Sequence, residues 1–406
     1  MSRFVSFAVF IGIVVSVLGG LHYYIWARLV RDTHLPAPWA TVAVTGLIAL
    51  AAGVPIMTFL NRQFPAIARL AGWPLYTWLG TTFLLFVLLL GADVVRGLHR
   101  LWTMVVSSGA TFDVERRTLM TRVLGGAVAT SAAALTAVAV RAATGPVEVR
   151  RVPVVLPRLP RQLDGLTIAQ ISDVHIGPTI GRAFIEDIVT RTNALAPDVI
   201  AITGDLVDGS VAHLKDATAP LAALRARHGV FFVTGNHEYF SGAAAWIDEL
   251  TRLGIRCLRN ERVSIGEGAA SFDLAGVDDR SGARFGEDGH GEDLPKALGD
   301  RDPTREIVLL AHQPKSVFEA ERFRIGLQLS GHTHGGQIWP FNLLVRLQQP
   351  FVAGLHRHGS AQIYVSRGTG YWGPPMRLAA PAEITQIVLR SPGAAPSAEQ
   401  SPSSRS

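Results

Sequence analysis

The 406-residue sequence holds one cysteine, Cys257, so no internal disulfide can form. Its setting, Gly-Ile-Arg-Cys-Leu, has the pattern of a short buried strand, and it reads as a small core residue rather than a nucleophile. Charge is scarce as well. Asp, Glu, Lys and Arg make up 17% of the chain against 48% hydrophobic residues, and mean hydropathy is +0.27. That is too apolar for an ordinary soluble chain of this length and points to membrane segments. The net charge is +6 and the pI about 9.9. The second half lacks a basic helix and any basic–aromatic interleaving, so nucleic acid is not an expected partner. The arginines flank apolar stretches instead. No internal repeat is visible, which excludes a repeat architecture.

Charge is absent altogether from residues 4–27, 35–61 and 71–92. Each run reaches the roughly 20 residues needed to cross hydrocarbon. Arginines bound them, and Trp26, Trp39, Trp73 and Trp78 lie near their ends, where interfacial aromatics belong. Residues 123–140 are also uncharged, but rich in Ala, Gly, Ser and Thr, and follow Glu-Arg-Arg-Thr-Leu-Met-Thr-Arg. This is either a fourth spanning helix with a basic flank or a twin-arginine export signal. The expected helices are 4–27, 37–60, 71–92 and 121–140, in a membrane region over 1–145. The expected loop from Arg96 to Arg122 carries five arginines, more than any other. The positive-inside rule then places it in the cytoplasm and both termini outside, with four crossings of the cell membrane and an extracytoplasmic second half. Arg141, Arg150 and Arg151 pull the other way. Residues 146–165, with Pro146, Pro153, Pro157 and Pro160, read as a linker. Residues 391–406 are Ser, Pro, Ala and Gly for the most part and read as a disordered tail.

From residue 166 to 390 the pattern is that of an α/β layered domain: short apolar runs, polar loops, and helical stretches between. The loops after those runs are Ser-Asp-Val-His, Gly-Asp-Leu-Val-Asp-Gly, Thr-Gly-Asn-His-Glu, Gly-Val-Asp-Asp, Ala-His-Gln-Pro and Ser-Gly-His-Thr-His-Gly-Gly-Gln. Residues beyond the carboxyl ends of strands meet on one rim, so Asp173 and His334 become neighbours despite their separation in sequence. The rim holds Asp173, His175, Asp205, Asn236, His312, His332 and His334. Mixed imidazole and carboxylate donors suit Zn, Fe or Mn more than Ca. Seven donors exceed one closed tetrahedral site and fit two divalent ions if one carboxylate bridges. Two ions about 3.5–4 Å apart can clamp the attacking and leaving oxygens of a phosphoryl displacement, and a water between them becomes a nucleophile through its lowered pKa. An Asp-x-His or a Gly-Asp turn alone is weak evidence; the five pieces in one order, each after a strand, are specific.

That order resembles the calcineurin-like metallophosphoesterase superfamily, over roughly residues 166–390. The wording of the later loops resembles its membrane-associated, twin-arginine-exported bacterial phosphodiesterase branch. The resemblance implies a four-layer β-sandwich flanked by helices. It implies that Asp173, His175 and His334 bind one ion, that Asn236, His312 and His332 bind the other, and that Asp205 bridges. His237 would lie near the leaving group as proton donor or transition-state stabiliser. Asp208 and Glu238 would support the ligands. Arg367 and Arg377 are candidates to hold the substrate phosphate, with a surface salt bridge as the alternative. His213, His228, His290, His356 and His358 lack motif context. Residues 279–302, rich in Gly and charge, read as a long flexible loop.

The functions these residues favour begin with a membrane-anchored phosphodiesterase whose substrate is envelope- or lipid-linked. A second is a lipid-linked pyrophosphatase acting on a nucleotide-acyl sugar. A third is a membrane sensor that uses the domain only to bind. Membrane lipid is an expected partner in each.

Overall fold

The computed structural model of the chain describes residues 3–106, 114–285 and 289–393. They form two units. One comprises the chain up to Gly145 together with Gly373–Leu378, and the other Pro146–Trp372 with the chain from Ala379.

The first unit holds helices α1 (Arg3–Trp26), α2 (Ala37–Gln63), α3 (Pro65–Val106) and α4 (Val114–Thr144). Each contains a stretch long and apolar enough to cross a membrane. A π-helical turn, Ala27–Arg31, extends α1. Ile25, Leu85, Leu89, Val128 and Ala132 form the buried seam between the helices. Several polar groups inside the unit are paired. The Trp78 indole N–H donates to His22 Nε2 at 2.9 Å, and Asp93 accepts from Tyr24 Oη at 2.7 Å and meets Arg28 at 2.8 Å. The expected loop from Arg96 to Arg122 is mostly helix. Arg96 and Arg100 lie on α3, Arg116, Arg117 and Arg122 on α4, and only 107–113 lies outside the described residues. Nothing in 93–106 breaks a helix, so α3 runs for 42 residues, about 63 Å at 1.5 Å per residue. That is twice the hydrocarbon thickness of about 30 Å.

The second unit is built on two six-stranded sheets. Its strands are β1 (Glu148–Val155), β2 (Thr167–Ile171), β3 (Val199–Ile202), β4 (Val230–Phe232), β5 (Arg256–Cys257), β6 (Glu261–Glu267), β7 (Ala270–Gly276), β8 (Ile307–Leu310), β9 (Leu327–Ser330), β10 (Gly354–His358), β11 (Ala361–Val365) and β12 (Glu383–Arg390). The orders are β1-β12-β2-β3-β4-β5 and β10-β11-β9-β8-β7-β6. Pairing is parallel through β2-β3-β4-β5 and β7-β8-β9-β11, as all-apolar strands such as Val-Ile-Ala-Ile require. Ile168, Val199, Phe231, Phe272, Leu329 and Leu389 belong to the core packed between the sheets. The helices that follow are α5 (Arg182–Ala194), α6 (Val211–Thr218), α7 (Asn236–Ser241), α8 (Ala243–Arg252), α9 (Gly282–Phe285), α10 (Leu294–Leu298), α11 (Val317–Ala320) and α12 (Phe341–Gln348). They complete the mixed α/β sandwich with helices that the sequence predicts.

Three boundaries differ from the sequence reading. Residues 146–165 are not a free linker. Val152 and Val154 alternate inward, and β1 pairs with β12 over its whole length, so prolines sit in an edge strand and the loop after it. Residues 279–302 are not one flexible loop: Leu294, Ala297 and Leu298 of α10 are buried in the second sheet's outer core, and Asn260 Nδ2 donates to Gly291 O at 2.8 Å. Residues 286–288 of that segment lie outside the described residues, as do 394–406 of the expected tail. Ser391, at the start of that tail, is buried, and its N–H donates to Asp164 at 2.8 Å. Cys257 lies partly buried in β5, and burial pushes its thiol up to about 11, which fits a core residue and not a nucleophile.

Candidate metal centre

The rim residues come from the loops after β2, β3, β4, β8 and β9. Five of them, Asp173, His175, Asp205, His332 and His334, have φ between 50° and 71°. This left-handed backbone is costly for non-glycine residues and is held only where the surroundings over-determine it. It turns side chains of adjacent loops onto one spot. Glycine supplies the close approaches. A Cβ on Gly204 would lie 2.6 Å from Gly235 N and 2.8 Å from His312 Nδ1, and Gly204 also has φ +84°.

Three groups of donors result: Asp173–His175–His334, Asp205–His312–His332, and His175–Asp208–His237, which shares His175 with the first. In the first, His175 Nε2 lies 3.0 Å from His334 Nε2, and His334 Nε2 3.4 Å from Asp173 Oδ1. In the second, His312 Nε2 lies 3.1 Å from Asp205 Oδ2 and 3.3 Å from His332 Nδ1. Asn236 Oδ1 joins the second group, 3.2 Å from His312 Nε2 and 2.9 Å from His332 Nδ1. Asp205 Oδ2 is also 3.9 Å from His175 Nε2, so one carboxylate oxygen stands between the groups.

The chemistry of the set fits divalent cations. Imidazole nitrogens facing each other at about 3 Å are spaced as neighbouring ligands on one ion with bonds of about 2.0–2.1 Å. Asp173 Oδ2 is buried without a hydrogen-bond partner. Burial and the charge of Asp205 push the Asp173 carboxyl up, which is the repulsion a cation relieves. Burial would raise Asp205 too, but His312, His237 and His175 outweigh it and hold that carboxyl well below its usual range. Burial and the neighbouring His312 bring His332 down to about 3, leaving a neutral imidazole able to ligate.

The supporting residues are equally ordered. Asp208 accepts from both flanking imidazoles, at 3.2 Å from His175 Nδ1 and 2.5 Å from His237 Nδ1. Each ring thereby keeps its Nε2 for other work. Burial works against a charged His237, yet Asp205 and Asp208 raise it to about 9. Glu238 is fully buried and accepts from the N–H groups of Gly235, Asp205, Leu206 and Val207. It ties the Asp205 loop to the start of α7. Burial and Asp205 raise its carboxyl, while the N–H donors of Gly235 and Leu206 oppose that.

Arg377 belongs to the helical unit, where it is buried and its N–H donates to Ala139 O at 2.9 Å. Arg367 is paired at 2.9 Å with the buried Glu383, the salt-bridge alternative, although its stem packs near Gly335 beside His334. Sequence reasoning missed the aromatic wall. The His237 ring meets Phe240 at 5.6 Å and Trp372 at 5.7 Å, and Phe240 meets Phe285 at 5.4 Å. Nothing in their spacing marked them. It also passed over Asp279, whose carboxylate accepts from Gln313 Nε2 beside His312 at 3.1 Å; the Gly-Val-Asp-Asp wording was the signal.

A family model for the calcineurin-like phosphoesterases matches residues 166–336. A Bos taurus protein named "Transmembrane protein with metallophosphoesterase domain" is 37% identical over 389 residues, covering 90% of this chain and 86% of that one. The chain belongs to the calcineurin-like phosphoesterase family. A Helicobacter pylori relative named "Uncharacterized metallophosphoesterase" is 41% identical over 244 residues, 60% of this chain and 64% of its own. A dimetal phosphatase from Danio rerio is similar in structure, with a TM-score of 0.36 and 14% identity over 50% of this chain and 88% of that one. The relatives include animal as well as bacterial proteins, so the comparisons do not single out an exported bacterial branch of the metallophosphoesterases.

Proposed function

We propose that this metallophosphoesterase is a multi-pass membrane protein that hydrolyses phosphodiesters with two divalent cations, of the Mn, Zn or Fe class. The observation that supports the reading is Asp205 Oδ2, 3.1 Å from His312 Nε2 and 3.9 Å from His175 Nε2, within reach of both donor groups as a shared ligand would be. Asp173, His175 and His334 would hold one ion, Asn236, His312 and His332 the other. When bound, the pair supplies Lewis-acid stabilisation of a phosphoryl group and a water of lowered pKa.

The remaining work falls to side chains. His237, kept protonated by Asp208 and Asp205, donates a proton to the leaving-group oxygen. Asp208 orients both His237 and His175. Glu238 holds the Asp205 loop through backbone N–H groups. The orientation with the domain outside follows from the arginine balance alone. The test is activity of the full chain on a phosphodiester and a phosphomonoester with each metal, beside Asp205→Asn and His332→Ala. Wild type no faster than the variants with every metal would sink the enzyme reading and favour a binding module. A reporter fused after Ser391, active only in the cytoplasm, would refute the orientation and with it the twin-arginine alternative for α4.

A further inference from the structure

Helix α12 begins seven residues after His334, and its polarity is inside out. A surface helix normally turns apolar residues inward. Here the less exposed positions are Asn342 and Val345, followed by the buried Gln349, at spacing i, i+3, i+7. Asn342 lies against Gly336, where a Cβ would collide with its backbone and Cβ. The outward positions carry Phe341 (45% exposed), Leu343 (54%), Leu344 (55%) and Leu347 (84%). Trp339, just before the helix, is also exposed. Such a contiguous apolar face marks an interaction surface.

We propose that α12 and Trp339 dock this domain onto the surface of a lipid bilayer. The tether argues for lipid over other partners. Only three residues separate the end of α4 at Thr144 from β1 at Glu148, a reach of at most about 14 Å. A domain held that close to a spanning helix meets lipid more often than any other apolar phase. A helix with Leu and Phe on one face and a Trp at its entry suits the headgroup boundary. α12 continues from the loop that carries His332 and His334, so docking holds the metal cluster at the membrane surface. On the phosphodiesterase reading above, the substrate it serves is a phosphodiester carried in the bilayer.

The test uses the full chain in lipid nanodiscs, with Cys257→Ser and a fluorophore on Leu347→Cys. Spin-labelled phosphatidylcholine should quench the label about threefold, and Leu343→Glu with Leu344→Glu should abolish that quenching. No quenching by lipid would overturn the proposal, as would a label shielded from aqueous iodide but not reached by lipid. The latter would mean a second copy or the chain itself covers α12. Quenching unchanged in the double variant would overturn it too. The same variant should keep hydrolysis of a soluble phosphodiester while losing about tenfold on one embedded in vesicles. Absence of all hydrolysis would count against the phosphodiesterase reading and leave the quenching result standing.

Discussion

The two units solve opposite solvent problems with similar residues. In the helical unit at most 28% of the residues in each apolar stretch are buried, and Val42, Leu98 and Val105 face outward. In the sheet unit Ile, Val, Leu and Phe turn inward between the sheets, and charged side chains such as Arg182, Glu186 and Arg252 face out. A helix satisfies its backbone internally, so the helical unit suits a lipid surround on the reading proposed above, while the sheet unit keeps its charged exterior in water. The contrast shows why α12 stands out. The same outward Leu that is ordinary on α3, as at Leu98 and Leu101, is an anomaly on a water-facing sandwich.

The largest expected effect separates chemistry from anchoring. Asp205→Asn should lower kcat by about 10³-fold or more, roughly 4 kcal/mol of barrier, and reduce metal content measured by mass spectrometry. Asp93→Asn, in the helical unit, should leave kcat within about twofold, because the cluster lies wholly in the other unit. A large kcat loss at Asp93 would break the division of labour.

Next comes the core. Phe272, fully buried between the sheets, should cost about 3–5 kcal/mol on replacement by Ala, read by denaturant melting of the sheet unit. Val42→Ala, with 65% of its surface exposed in the helical unit, should cost less than about 0.5 kcal/mol by the same measurement. Equal costs would erase the contrast.

Gly204→Ala tests the close packing of the rim. A methyl at φ +84°, against Gly235 and His312, should cost about 2 kcal/mol and lower metal affinity more than fold stability. Unchanged metal affinity would mean the loops are looser than they stand.

The smallest effect is a titration. In the metal-free protein the His237 pKa is raised from 6.5 to about 9, so its stabilisation is complete below 6.5 and fades as pH rises through 9. Imidazole NMR should show this, and Asp208→Asn should move the midpoint down by about one unit. An unmoved midpoint would place the raising charge elsewhere.

Much of the fold was legible because its signals are local. Uncharged runs of 20 residues marked the helices, and apolar runs before Asp-x-His or Gly-Asn-His marked strand ends. The prolines of 146–165 misled, because an edge strand tolerates proline and only its pairing with β12, more than 200 residues away, reveals it. That Arg377 falls in the helical unit could not be read either, because a lone arginine gives no sign of which unit will bury it. The break in charge at Arg96 suggested a loop, yet nothing there ends a helix.

The sequence by itself determined the donor set, its order along the chain and its attachment to apolar helices, since residue chemistry and hydropathy are properties of short segments. Tertiary structure decided which donors meet, that Asp205 stands between two groups, that Asp208 serves two histidines, and that α12 turns its leucines outward. Those depend on backbone turns at φ near 50° and on strand pairings across the whole domain, which no window of sequence contains.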